Sequence, residues 1–109
     1  MANKNYMKEL LEQYGRLNTN YRNNFHQGDI VQHFKRETIN TSNSSNKYLY
    51  KILCVAKHTE KDGYMVVYQA LYGQFEIYAR PYDMFMGEVD HTKYPEIKQK
   101  YRFVLWDGE

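Results

Sequence analysis

Cysteine is nearly absent from this chain of 109 residues: Cys54 stands alone, so no internal disulfide can staple the fold. It lies in the apolar run Ile52-Leu53-Cys54-Val55, which predicts a buried, unreactive thiol. Long hydrophobic runs are missing too, and Met1 to Tyr6 lacks the apolar core of a signal peptide. The expectation is therefore a cytoplasmic protein without a membrane partner. An excess of charge of one sign is also lacking. Fifteen Lys and Arg face thirteen Asp and Glu, a formal +2 that by itself implies no nucleic-acid partner. There is no glycine-rich phosphate loop, no nucleophile elbow, no internal repeat and no heptad pattern. Finally, Leu, Ile, Val and Phe together make up only about a fifth of the residues, close to the composition at which chains fail to fold.

Tyrosine is what the chain has instead. Twelve tyrosines raise the apolar share to 42%, and their rings must supply much of the core. The length allows one folded domain.

Residues 1–27 are expected to form an N-terminal helix and a polar linker ahead of a small β-barrel-like domain over 28–109. Tyr6, Met7, Leu10, Leu11 and Tyr14 recur at helical spacing, with Asn3 or Asn5 as cap and Gly15 past the end. The stretch 17–27 is rich in Asn, with Tyr21 and Phe25 as its anchors. From Gly28 onward the apolar period falls to two. Strands are predicted over 29–35, 48–57, 64–72, 75–80 and 101–106, with a short one over 87–89. The polar segment 38–46 reads as a loop, and Asp62-Gly63 closes a hairpin between the two longest strands. Pro81 stops the strand before it, Tyr82 to Met86 form one helical turn, and Pro95 opens a short turn or helix. The fold class expected is mainly β with one N-terminal helix, either a small strongly bent sheet or an SH3-like barrel.

Alternation places Tyr48, Tyr50, Ile52, Cys54 and Ala56 on one face of their strand, and Tyr64, Val66, Tyr68, Ala70 and Tyr72 on one face of the next. Those tyrosines run with apolar neighbours and read as core or interface. Tyr78 shares its face with Glu76 and Arg80 and is the best candidate for an exposed aromatic.

Four blocks carry a family resemblance: Gln32 to Lys35, Tyr50 to Glu60, Val66 to Gly73, and Ile77 to Phe85. In this order they resemble the small bacterial family catalogued as domain of unknown function 1653. The resemblance covers about residues 28–90 and implies a small, mostly β, cytoplasmic bacterial domain without a settled activity. His33, Lys35, His58, Tyr72, Arg80, Pro81 and Phe85 fall on its motif positions. The polar segment 36–47 and the turn 72–76 depart from the shorter common form, and the tail from 91 lies outside it.

Three functional readings follow. The first is a binding module without a cofactor, recognising a nucleotide, a nucleic-acid segment or another anionic ligand. Its candidate ligand-binding residues are His33, Lys35, His58, Tyr72, Tyr78 and Arg80, because aromatic rings interleaved with cations suit stacking and phosphate steering. The second is a small enzyme acting on an anionic substrate, with His58 as acid or base, Arg80 as anion clamp and Glu76 and Asp83 nearby. The third is a structural homodimer joined through apolar strand faces. No metal site is expected, because His26, His33, His58 and His91 lack the close spacing of zinc ligands.

Overall fold

Branched and aromatic residues at alternate positions build strands, and strands are the prevailing elements among the described residues. The computed structural model describes residues 16–17, 25–41 and 45–108. The helix expected over 5–14 lies outside the described residues. Strands β1 (Arg16–Leu17) and β2 (Phe25–His26) form a two-stranded antiparallel pair. Strand β3 (Ile30–His33) is followed by a 3-10 helix (Phe34–Thr38), β4 (Leu49–Lys57), β5 (Tyr64–Ala70), β6 (Ile77–Pro81), the helix α1 (Tyr82–Met86) and β7 (Phe103–Leu105). The main sheet is antiparallel with strand order β6-β5-β4-β3-β7, so the last strand returns to pair with the first.

This sheet is open, which corrects the SH3-like barrel and supports the bent-sheet alternative. Strands β5 and β7 lie three strand spacings apart, about 14 Å in a flat sheet. Yet the rings of Tyr68 on β5 and Phe103 on β7 have centroids 5.6 Å apart, so the sheet curls tightly. An aromatic cluster fills the hollow of the curled sheet. Phe85 of α1 stacks on Phe103 at 4.1 Å and meets Tyr68 edge-on at 5.1 Å, so it packs against β5 and β7 together. The described α-helix is internal, at the helical turn expected over Tyr82 to Met86, and it packs into the hollow of the sheet.

On β4 the predicted core face holds at Tyr50 and Ile52, with neighbouring Leu49 buried as well, and beyond Ile52 it changes. Tyr50 pairs with Ala70 and Ile52 with Tyr68, and all four are buried. Between Ile52 and Cys54 the register slips by one residue, a β-bulge, and beyond it Val55 pairs with Val66 and packs on the core. The face predicted to continue through Cys54 and Ala56 therefore passes to Val55. Cys54 sits on the bulge half-buried, not fully inward. Strand β5 has no bulge, and its predicted face holds in the middle, where Val66, Tyr68 and Ala70 are all buried, whereas Tyr64 at its start is exposed and Tyr72 beyond its end is partly buried. The expected tyrosine core is present as Tyr50 and Tyr68, packed with Ile52, Phe85 and Phe103. Phe25, expected as an anchor, is buried in the same cluster.

The strand expected over 29–35 is cut short. The chain leaves the sheet at Phe34, whose amide donates to the Arg102 carbonyl at 3.0 Å, and Phe34 joins a second small core with Val89 and Ile97. The strand expected over 87–89 amounts to a single bridge, Glu88 to Tyr101. Tertiary hydrogen bonds hold this region. The Gln99 side chain donates to the carbonyls of Gln32, Tyr101 and Arg102, and Glu37 accepts from the amides of Lys98 and Gln99. Arg36, 6% exposed, donates to the carbonyls of Ser45 and Lys47 and so fixes the backbone just ahead of β4.

Candidate functional site

His33 ends β3 and redirects the chain. Its Nδ1 accepts the Lys35 amide at 3.1 Å, capping the 3-10 helix and setting Lys35 beside the imidazole. On β6, Arg80 pairs with Val66, so its side chain lies over the curled face, where Nε donates to the Tyr68 hydroxyl at 3.3 Å. Arg102 arrives from the opposite edge, just ahead of β7, with Nε donating to the Glu88 carbonyl at 3.4 Å. A tight turn supplies Lys93 and Tyr94. Asp90 builds that turn, its Oδ1 accepting the amides of Thr92 and Lys93 and its carbonyl that of Tyr94. Together with Phe34, these side chains line a cleft of about 380 Å³.

The cleft is strongly cationic. Lys35, Arg80, Lys93 and Arg102 face one carboxylate, that of Asp90, and none of the four forms an ion pair among the described residues. The two lysines lie against the Tyr94 ring, with Nζ at 6.0 Å and 5.5 Å from its centroid. His33 responds to this field. Burial first, then the charges of Lys35, Arg80 and Arg102, lower its pKa from 6.5 to about 4. The imidazole is therefore neutral at pH 7, and with Nδ1 accepting a hydrogen bond its proton sits on Nε2, ready to donate.

The remaining sequence candidates lie elsewhere. His58 lines a second cleft of about 300 Å³ with Asp62, Tyr64, Pro81 and Asp83, while its Nδ1 accepts the amides of Glu60 and Lys61. The structure thus brings His33, Lys35 and Arg80 together and does not bring His58 into their cleft. Tyr72 shares a 2.7 Å hydroxyl–hydroxyl hydrogen bond with Tyr50 inside the aromatic cluster. Tyr78 is 41% exposed, but its ring leans on Tyr68 and its hydroxyl donates to Glu76. Among the described residues no group of three or more His, Cys, Asp or Glu side chains is placed to hold a metal ion. No helix among them is long and apolar enough to cross a membrane.

Sequence reasoning missed Lys93, Tyr94 and Arg102. The aromatic–cation adjacency that drew attention to the central strands is also present in the tail, as Lys93-Tyr94 and Tyr101-Arg102. Only the pairing of β7 with β3 makes that tail one wall of the cleft.

A family model described as Protein of unknown function (DUF1653) matches residues 29–105. No curated protein matches the chain, and no solved structure does. The matched span begins just before β3 and ends with β7, so it includes the whole main sheet and every residue of the cationic cleft. The chain belongs to the DUF1653 family, a family of proteins of unknown function.

Proposed function

We propose that this domain is a binding module for an anionic ligand, which it takes in the cleft between the end of β3, the edge strand β6 and the segment ahead of β7. One observation carries the reading: four cationic side chains converge on a single cavity that offers one carboxylate, already engaged in a turn. Cations gathered this closely repel one another, and an anion among them relieves that repulsion. The cavity volume suits a small molecule or one group of a larger one. A catalytic reading built on His58 and Arg80 has less support, because the two side chains line different clefts and His58 caps a loop.

Thermal unfolding in the presence of anions at constant ionic strength tests the proposal. A ligand at a hundred times its Kd stabilises the folded state by about 2.7 kcal/mol, which for a domain of this size raises Tm by roughly 10 °C. The expected result is such a rise with phosphate-bearing or multiply carboxylated anions. A Tm no higher than in sodium chloride for all of them overturns the reading.

A further inference from the structure

We infer that the cleft takes the terminal phosphomonoester of a small phosphorylated molecule, in preference to a nucleobase or the internal phosphodiesters of a nucleic-acid strand; this rests on the anion-binding reading above.

The aromatic rings argue against a base. Stacking needs an uncovered ring face. Tyr94 carries the Lys35 and Lys93 ammonium groups against its ring and packs on Phe34 at 4.9 Å. The His33 ring has Phe34 at 4.2 Å and the Phe103 ring at 5.1 Å. Both rings act as supports for the charged groups around them. Tyr78, the more exposed aromatic, lies outside the cleft and beside the Glu76 carboxylate, which repels a phosphate chain.

The arrangement of charge argues for a monoester. A strand of nucleic acid is tracked by cations spaced along a groove, one for each phosphate. Here the cations converge on one cavity, from β6, from the segment ahead of β7, from the 3-10 helix and from the turn at 90–94. A phosphomonoester carries close to two negative charges at neutral pH and three terminal acceptor oxygens, where an internal diester has one charge and two. Arg80 and Arg102, approaching from opposite edges, each present a fork suited to two phosphate oxygens. Lys35 and Lys93 add point charge, and neutral His33 adds a donor on Nε2.

Isothermal titration of the full chain with glycerol phosphate, adenosine monophosphate, cyclic adenosine monophosphate, adenosine and citrate separates the cases. The expected result is equal affinity for the two monoesters, cyclic nucleotide weaker by at least about tenfold, and no heat from adenosine. Binding of adenosine, or of the cyclic diester as tightly as the monoester, overturns the monoester assignment. Binding of citrate without either monoester overturns it while the anion-binding reading survives, and no binding by any probe removes both. Arg80→Lys keeps the charge and loses the fork, so it should weaken glycerol phosphate about tenfold with little change in unliganded Tm. If that variant does not fold, Lys93→Ala on the exposed turn should weaken the same probe several-fold; unchanged affinity in the folded variant counts against the assignment.

Discussion

Arg80 and Arg102 belong to opposite edges of a five-stranded sheet, yet they line the same cleft. The curl of the sheet makes this possible, and Phe85 packs inside the curl against Tyr68 of β5 and Phe103 of β7. The site therefore depends on core packing at Phe85.

Phe85 is fully buried, stacked on Phe103 and edge-on to Tyr68. Replacing Phe85 with Ala should lower stability by about 3–5 kcal/mol, a large part of the total for a domain of this size. Urea unfolding measures it. A loss below about 1 kcal/mol would show that the Phe85 ring does not anchor the core as described.

Gln99 should prove the most sensitive polar residue. Its amide nitrogen serves three backbone carbonyls, and its oxygen accepts from Gln32. Gln99→Ala should destabilise by about 2–3 kcal/mol and weaken anion binding, because the carbonyls it serves include that of Arg102. Gln99→Glu should be worse at neutral pH, since a carboxylate would face those carbonyls with no proton to donate. Denaturant curves for the two variants at neutral and acidic pH check the order.

Stability should fall in acid through the window set by His33. Its pKa is 6.5 unfolded and about 4 folded, so between those values the unfolded chain binds more protons. The contribution is complete above the unfolded value and is lost progressively as pH falls toward the folded one. At full effect the loss is about 3 kcal/mol, and exposure of part of the ring reduces it to about 2 kcal/mol. A bound anion should raise the folded pKa against the charges of Lys35, Arg80 and Arg102, with Lys93 and Asp90 in the same cleft. NMR titration of the His33 ring with and without phosphate reads this directly. His33→Asn, which keeps an acceptor for the Lys35 amide, should flatten the slope.

His58 should behave as a structural cap. His58→Ala removes the acceptor for the amides of Glu60 and Lys61 and should reduce stability by about 1 kcal/mol, while His58→Asn should retain most of it. Anion affinity should be the same in both variants as in the wild type. A large loss of affinity in His58→Ala would place the ligand in the second cleft instead.

Much of the fold was legible because local patterns and tertiary structure agree. The alternation of β5 matches its buried face from Val66 to Ala70, the Asp62-Gly63 pair closes the hairpin between β4 and β5, and Tyr82 to Met86 form the helical turn after Pro81. Where they disagreed, the backbone broke the regular ladder. The bulge at Leu53 shifted the face of β4 to Val55, and the 3-10 helix capped by His33 ended β3 early. For the site, His33, Lys35 and Arg80 were identifiable as motif positions, whereas Lys93, Tyr94 and Arg102 lay in a tail that no local pattern linked to them.

The sequence by itself determined that this chain must build a β domain on tyrosine, because its aliphatic side chains are too few and its period of two is sustained. Tertiary structure alone decided that the sheet stays open and that cations from its two edges meet. Alternation specifies the buried face of a regular strand, but bulges, strand order and curvature depend on long-range pairing and on how Phe85, Tyr68 and Phe103 pack together. Those quantities belong to the packed assembly of side chains, and no window of neighbouring residues contains them.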